Sequence, residues 1–268
     1  MINIVINIYR FLFLRKFFFK FNKLLLSLSL RGIGILNFEN EKLSGEGWFL
    51  REISKRNRHL VALDIGANIG RYSSTLKALC PEASIYAFEP HPKSFLRLQA
   101  SAYTSGYTAI NLGCSNIEGK LKLYDYKGSN EGSEHASLYK DVIEILHNGE
   151  VISWDVDLTT VDSFVKQNDI PQIHLLKIDT EGNELKVLQG AKETIAKGFV
   201  EMIHFEFNEM NLMSRTFFRD FYQALPEYYF YRMLPDGLVP LGSYNSLFHE
   251  IFAFQNIVAI HRLSRFRP

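Results

Sequence analysis

The chain has 268 residues, of which 47% are hydrophobic and 14% aromatic, which is ample for the core of one large domain or two small ones. The composition excludes a disordered or low-complexity chain. Because two cysteines cannot build a disulfide framework, we expect the protein to reside in a reducing cytoplasm. The net charge of +1 hides an asymmetry, because residues 1–38 hold six bases and no acid, which leaves 24 bases and 29 acids for residues 39–268.

Residues 1–38 predict a basic amphipathic helix with an apolar face. Four bases and a serine recur at helical spacing among apolar residues: Lys16, Lys20, Lys23, Ser27 and Arg31. Charges interrupt every apolar run well short of the roughly 20 residues that a membrane-spanning helix needs. Three hypotheses stay open: residues 1–31 lie on an anionic surface at the inner face of a membrane, contact a partner protein, or cover the chain's own domain.

Residues 39–268 predict one α/β domain. Apolar runs typical of strands cover residues 59–64, 84–89, 108–112, 174–179, 201–206, 228–234 and 256–261. Helical periodicity covers residues 71–79, 92–101, 184–197 and 214–225. Because strands and helices alternate, we expect a mostly parallel sheet with helices on both faces. The alternation lapses at about residues 115–160, which predicts an inserted hairpin and loop near the acceptor, with Glu134, His135 and Ser137 in the loop.

The first two predicted strands end in residues that suit an adenosine ligand. Asp64 closes the first strand, and the turn through Gly66, Asn68 and Gly70 lets a ligand approach the backbone at the start of a helix. Glu89 closes the second strand, where a carboxylate can accept hydrogen bonds from both hydroxyls of a ribose.

The charge of this turn indicates which adenosine ligand it takes. A dinucleotide motif has glycine where this chain has Asn68, and Asp64 would repel a pyrophosphate. A cofactor with a cationic amino-acid end and no phosphate, such as S-adenosylmethionine (SAM), suits the turn better. A tight turn in which Asp64 only caps the helix is the structural alternative, and it leaves Glu89 unexplained.

Four segments of the chain resemble the FkbM family of SAM-dependent methyltransferases. They read LDIGANIG at 63–70, AFEP at 87–90, TVDSF at 160–164 and LKIDTEGNEL at 176–185. The resemblance implies a Rossmann-like class I methyltransferase fold with seven strands, the last antiparallel, and O-methylation of small molecules, especially sugar and polyketide hydroxyls. It also implies that five residues contact the cofactor: Asp64, Gly66, Asn68, Gly70 and Glu89.

The next two predicted strands end in acids at the edge where open sheets bind ligands. We expect Asp179 and Glu181 to hold the cationic end of the cofactor and to orient or deprotonate the acceptor hydroxyl. His204 and Glu206 share one side of the following strand. His204 is a candidate general base because its ordinary pKa lies near neutrality, although a strand histidine is more often a hydrogen-bonded core residue.

Two further hypotheses concern charge at this edge. Lys177 predicts a structural ion pair with Asp179 or with an acid of a neighbouring strand, because an unpaired buried ammonium is costly; a catalytic lysine is the alternative. A hard divalent cation is a second option, held by four residues: Asp179, Glu181, His204 and Glu206.

The sequence therefore predicts a SAM-dependent O-methyltransferase with a small-molecule acceptor, a sugar of a glycan or glycolipid precursor. No nucleic-acid partner is expected, because the basic residues after position 261 are too few. Two alternatives stay open: a membrane-associated nucleotide-binding protein without turnover, and an NAD-dependent oxidoreductase.

Overall fold

A computed structural model describes residues 2–126, 137–138 and 151–268. The strands in this described part are β1 (Val61–Ile65), β2 (Ser84–Phe88), β3 (Thr108–Ile110), β4 (Gly113–Cys114), β5 (Gly119–Tyr126), β6 (Val151–Thr159), β7 (Ile173–Ile178), β8 (Val200–Phe207), β9 (Tyr228–Leu234), β10 (Gly237–Pro240) and β11 (Gln255–His261). The helices are α1 (Ile2–Phe13), α2 (Phe19–Gly32), α3 (Glu41–Ser44), α4 (Glu46–Arg56), α5 (Arg71–Leu79), α6 (Pro92–Ser105), α7 (Val161–Gln167), α8 (Glu184–Gln189), α9 (Lys192–Ala196), α10 (Met210–Met213), α11 (Phe218–Ala224) and α12 (Ser246–His249).

The main sheet has the strand order β10-β9-β11-β8-β7-β1-β2-β3. The five strands from β8 to β3 pair in parallel, whereas β11 runs antiparallel between β8 and β9. This confirms the class I methyltransferase fold with an antiparallel last strand. The predicted count of seven strands is one too low, because β10 adds a short edge strand beside β9. Four residues that begin with glycine and end with proline give no strand pattern, and a proline is tolerated at such an edge.

The strands are apolar on both faces because the sheet lies between two layers. Successive residues of β1 show the alternation: Leu63 joins the core that packs on α7, α8 and α11, and Ala62 joins the core that packs on α4 and α5. Leu176 and Leu175 of β7 divide between the two cores in the same way. Each strand therefore reads as a continuous apolar run, which is typical of a buried parallel sheet.

The helix predicted over residues 184–197 is two helices, α8 and α9. Asp162 accounts for the break, because its backbone N–H donates to the Gly190 carbonyl oxygen at 2.9 Å. The Asp162 carboxylate then accepts hydrogen bonds from the backbone N–H groups of Glu193 and Thr194, which begin α9. The helix predicted over residues 214–225 begins only at Phe218, where the Glu250 carboxylate accepts the Phe218 N–H.

A small sheet of order β4-β6-β5 packs beside the main sheet. Several contacts attach it to the domain, and two of them are fully buried or very close. His91, which precedes α6, lies 3.3 Å from the Asp125 carboxylate of β5, and both side chains are fully buried. Gly190 lies against the Ser115 backbone, so closely that a Cβ atom there would overlap the Ser115 carbonyl oxygen.

The basic first segment forms two helices rather than the single predicted one. Arg15, with an extended backbone, interrupts the helix, and a 3-10 turn at Lys16–Phe18 leads into α2. No residue of either helix is buried, which disfavours the hypothesis that the segment covers the chain's own domain. Within the described residues, no helix combines the length and apolar character needed to cross a membrane.

The contact between Gly190 and Ser115 predicts the effect of one methyl group. Gly190 has a helical backbone that alanine adopts without strain, so Gly190→Ala tests only the lack of space. We expect the free energy of unfolding in urea to fall by roughly 1–3 kcal/mol. Gly237→Ala is the matched control, because an added Cβ there meets no atom within 4 Å, and its stability should stay near that of the parent. Equal stability of the two variants would contradict the packing described.

Candidate active site

A cavity of about 870 Å³ opens at the carboxyl ends of β1, β2, β7 and β8. Small-molecule sites commonly have volumes of roughly 300–1,000 Å³, so the cavity is large enough for a cofactor and part of an acceptor. Its wall includes the ends of these strands, the segment around α3 and the start of α4, the start of α5, the segment after β8, and residues of the small sheet.

The turn after β1 is shaped by its contact with β7. Gly66 has a positive φ of 81°, and a Cβ atom there would overlap the Asp179 carbonyl oxygen. Asn68 also has a positive φ, of 47°, which asparagine tolerates better than most residues. Both residues lie in the cavity wall. Gly70 lies outside the wall, and it leaves room for the Tyr107 hydroxyl, so its role in the structure is packing.

Glu89 is held in place by the backbone of two neighbouring segments. Its Oε2 accepts the Asn68 N–H at 2.9 Å, and its Oε1 accepts the His91 N–H at 2.7 Å. Burial raises the pKa of Glu89 to about 7, although these two hydrogen bonds oppose the rise. Each carboxylate oxygen has a further lone pair, so the oriented group can still accept hydrogen bonds from a ligand in the cavity.

A buried ion pair joins the ends of β1 and β7. The Lys177 ammonium lies 2.8 Å from the Asp179 carboxylate and 3.7 Å from Asp64 Oδ1. Burial opposes the charge on Lys177, but the two carboxylates outweigh it and raise its pKa. The predicted structural ion pair of Lys177 is thus present. Asp64 itself lies behind the cavity wall, where its Oδ2 accepts a hydrogen bond from Ser73 Oγ at 2.6 Å.

The loop after β7 is organised by Glu184, a residue to which the sequence analysis gave no role. Its Oε1 accepts the backbone N–H groups of Thr180 and Gly182 at 3.0 and 3.1 Å, and Asn211 donates to its Oε2. An acid in the first turn of a helix, close after a glycine, is the signal that could have identified it. This anchoring fixes Glu181 at a positive φ of 51°, with its side chain in the cavity wall.

The inserted segment reaches the same loop. Ser137 is fully buried, and its Oγ donates to the Glu181 carbonyl oxygen at 2.7 Å. Glu134 and His135 lie outside the described residues.

Glu206 and Glu46 add two more carboxyl groups with altered proton affinity. Burial, reinforced by the charges of Asp179 and Glu181, raises the pKa of Glu206 well above its usual range. Burial also raises the pKa of Glu46 to about 7, although Lys177 opposes this. Glu46 begins α4, before the first strand in sequence and far from the strand ends that it meets in the wall, and no pattern in the chain indicates this contact.

His204 is buried and does not line the cavity. Its Nε2 lies 3.1 Å from the Asn256 Oδ1, which can only accept, so Nε2 carries the proton and Nδ1 accepts from the Tyr72 hydroxyl at 3.1 Å. Burial, with a further contribution from Lys177, lowers the pKa of His204 to about 4. A histidine with both nitrogens occupied and outside the wall is disfavoured as a general base, and its surroundings fit the hydrogen-bonded core alternative.

The predicted site residues therefore divide into two groups. Six line the cavity: Gly66, Asn68, Glu89, Asp179, Glu181 and Glu206. Three lie outside its wall: Asp64, Gly70 and His204. Among the residues that the structure describes, no three histidine, cysteine or acidic side chains converge as metal ligands would, so the divalent-cation hypothesis gains no support from the geometry.

The charge of the cavity suits a cationic ligand without phosphate. Eight acidic residues and two bases, Arg71 and Lys177, line the described part of its wall. Asp64 Oδ1 accepts no hydrogen bond from any described residue, and Lys177 lies 3.7 Å from it, so the negative charge of Asp64 is only partly neutralised. A pyrophosphate would face strong repulsion here, whereas the amine and sulfonium of SAM would be attracted. The residues present therefore fit SAM.

Three curated proteins show how far the similarity extends. The 2-O-methyltransferase NoeI of Sinorhizobium fredii is 27% identical over 192 residues, which cover 66% of this chain and 76% of that protein. Methyltransferase sdnD of Sordaria araneosa is 30% identical over 49% of this chain and 60% of its own length. Hexuronic acid methyltransferase AglP of Haloferax volcanii is 27% identical over 48% of this chain and 49% of its own. The chain thus spans only about half to three quarters of these relatives.

A solved structure, the METTL16 MTase domain, aligns with 82% of this chain over 67% of its own length. The TM-score is 0.46 and the sequence identity 7%, which is too low to indicate a function. The family comparison is more direct. The methyltransferase FkbM domain model matches residues 64–233, and this range contains the end of β1, all of β7 and β8, and most of the cavity wall. The chain belongs to the FkbM methyltransferase family.

Proposed function

We propose that the protein is a SAM-dependent O-methyltransferase that acts on a hydroxyl of a small molecule, a sugar of a glycan or glycolipid precursor. The observation that carries this proposal is the acidic cavity beside the oriented carboxylate of Glu89, within a domain of the FkbM family. The acid excess also argues against the NAD-dependent alternative, because NAD contains a pyrophosphate.

The wall residues have distinct roles in this proposal. Glu89 accepts hydrogen bonds from the two ribose hydroxyls, and the turn through Gly66 and Asn68 contacts the adenosine. Asp179 and Glu181 face the cationic amino-acid end. Asp64 acts from behind the wall, by holding Lys177 and with it Asp179. The bound cofactor supplies an electrophilic methyl group.

Glu206 is the candidate general base. In its ionised form, a carboxyl group whose pKa is raised by burial and neighbouring acids binds a proton more strongly than an ordinary carboxylate does. Glu206 lies in the cavity wall at the end of β8, next to the strand that carries Asp179. It can therefore accept the proton of an acceptor hydroxyl, while other residues of the cavity wall position that hydroxyl.

The relatives support a hydroxyl acceptor and a sugar. The printed names of NoeI and AglP describe a 2-O-methyltransferase and a hexuronic acid methyltransferase. The cavity also has an apolar surface of the kind that packs on the C–H faces of a sugar ring. It is formed by Leu123 and Leu158 of the small sheet and by Leu138 of the inserted segment. The test is methyl transfer from labelled SAM to a panel of glycans and glycolipids. If SAM binds but no acceptor in the panel or in a cell extract is labelled, the non-catalytic alternative is favoured.

Glu206→Gln tests the base. The substitution keeps the size of the side chain and removes its ability to take a proton, so kcat should fall by about 10²–10⁴-fold. The affinity for S-adenosylhomocysteine, measured by calorimetry, should change little. Glu209→Gln is the matched control, because Glu209 also lines the cavity, and its kcat should stay within about threefold of the parent. Full activity of Glu206→Gln would remove Glu206 from the reaction.

The pKa of Glu89 predicts how cofactor binding depends on pH. The ionised carboxylate accepts hydrogen bonds from both ribose hydroxyls, and the protonated form accepts fewer. Because this pKa is raised to about 7, affinity for S-adenosylhomocysteine should decrease as the pH falls below 7. If only the ionised form binds, the affinity at pH 6 is about tenfold lower than the affinity at alkaline pH, where Glu89 is fully ionised.

Two variants assign this effect. Glu89→Gln should bind more weakly at every pH, with a flatter pH profile. Glu46→Gln removes the other wall carboxyl group whose pKa is near 7, and it should retain the decrease. A pH profile that flattens in Glu46→Gln and persists in Glu89→Gln would contradict the assignment.

A further inference from the structure

The first two helices present an apolar surface that the domain does not cover. None of the residues 2–33 is buried. Six large apolar side chains are 65–87% exposed: Ile2, Ile4, Phe11, Leu14, Phe17 and Phe19. Contiguous exposed apolar surface of this kind is uncommon on a soluble domain and marks a surface that meets something else.

The same surface is strongly basic. The sequence has six bases and no acid before Glu39. Among the described residues, Arg31 is the one base of this set that forms an ion pair, with Glu39 at 3.1 Å. All six bases are exposed. Whatever covers the apolar side chains therefore meets several positive charges that the protein itself does not neutralise.

Each helix is amphipathic. In α1, the polar residues Asn3, Asn7 and Arg10 follow each other at steps of four and three, which places them on one face. In α2, a second polar face is formed by Lys20, Lys23, Ser27 and Arg31. The two helices are joined at the turn, where Asn22 donates to the Phe13 carbonyl oxygen at 3.1 Å and the Phe13 ring packs on Phe18 and Phe21.

We propose that residues 2–33 dock the protein on an anionic membrane surface. The apolar side chains would enter the boundary between headgroups and acyl chains, and the bases would lie among anionic headgroups. Charge decides between this occupant and a second copy of the chain. Two copies that met through these helices would bring twelve bases together with no acid among them, and like charges that are brought close together repel.

The connection to the domain gives docking a consequence for the site. After α2, Ile35 is fully buried, and the Leu36 N–H donates to the Phe254 carbonyl oxygen at 2.8 Å. The rings of Phe38 and Phe254 lie 6.0 Å apart, and both residues line the cavity. A membrane that binds the two helices therefore lies near the cavity, where it could present a lipid-linked acceptor. This last step rests on the proposed function, whereas the docking itself does not.

Flotation of the full chain with vesicles tests the docking. Vesicles of phosphatidylcholine with about one third phosphatidylserine should carry the protein upward, and binding should weaken as the salt concentration rises. Vesicles of phosphatidylcholine alone should bind it far less. The charge variant Lys16→Gln/Lys20→Gln/Lys23→Gln should lose on the order of a hundredfold in affinity for the anionic vesicles, because each base near such a surface contributes about fivefold.

Two further variants separate charge, apolar contact and folding. Lys55→Gln/Lys192→Gln/Lys197→Gln removes three exposed lysines of the domain and should float as the parent does. Phe11→Ser/Phe17→Ser should lower binding to both kinds of vesicle, because these side chains are 73% and 87% exposed. Binding of S-adenosylhomocysteine by every variant shows that the domain is folded.

Three outcomes would overturn the proposal. The first is no flotation with anionic vesicles, and the second is equal flotation of the parent and the Lys16, Lys20, Lys23 variant. The third is a parent protein that sediments as a stable dimer, also in the presence of vesicles, while the Phe11→Ser/Phe17→Ser variant sediments as a monomer. Methyl transfer to a free sugar in any of these cases would leave the proposed function intact, so the two failures can be told apart.

Discussion

The active end of the sheet depends on one buried ion pair. Lys177 of β7 stands in register with Asp64 of β1 on one side and with His204 of β8 on the other, and its ammonium binds the Asp179 carboxylate. An ammonium without a partner at this depth would be strongly destabilising, so the two carboxylates are a condition of the fold as well as parts of the site. Asp179 is thereby fixed where Gly66 packs on its backbone, and the turn after β1 takes its shape from that contact.

The acid excess around this pair accounts for the chemistry of the cavity. Lys177 neutralises Asp64 and Asp179 in part, and burial, with neighbouring acids adding to it, raises the proton affinity of Glu206 and Glu46. The same excess attracts a cofactor with a cationic end and adds to the raised pKa of Glu206, the proposed base. Cofactor choice thus follows from the acid excess, and base strength follows from burial together with that excess.

The sequence predicted the features that depend on neighbours along the chain. Buried strands are continuous apolar runs, and the acids at strand ends follow those runs directly, so β1, β2, β7 and β8 and the wall positions of Glu89, Asp179 and Glu206 could be inferred. Features that depend on distant contacts could not. Gly70 leaves room for the Tyr107 hydroxyl, and Glu46 reaches the cavity from a helix that precedes β1. His204 stays outside the wall, where Tyr72 and Asn256, from two other elements, occupy its ring nitrogens.

The central claim is that this cavity binds an adenosine cofactor that is cationic at one end and free of phosphate. Calorimetric titration of the full chain with S-adenosylhomocysteine and with NAD, in the same buffer at pH 8, tests it most directly. The account predicts saturable binding of one S-adenosylhomocysteine per chain and no measurable binding of NAD at the same concentrations. Binding of NAD that equals or exceeds that of S-adenosylhomocysteine would contradict it.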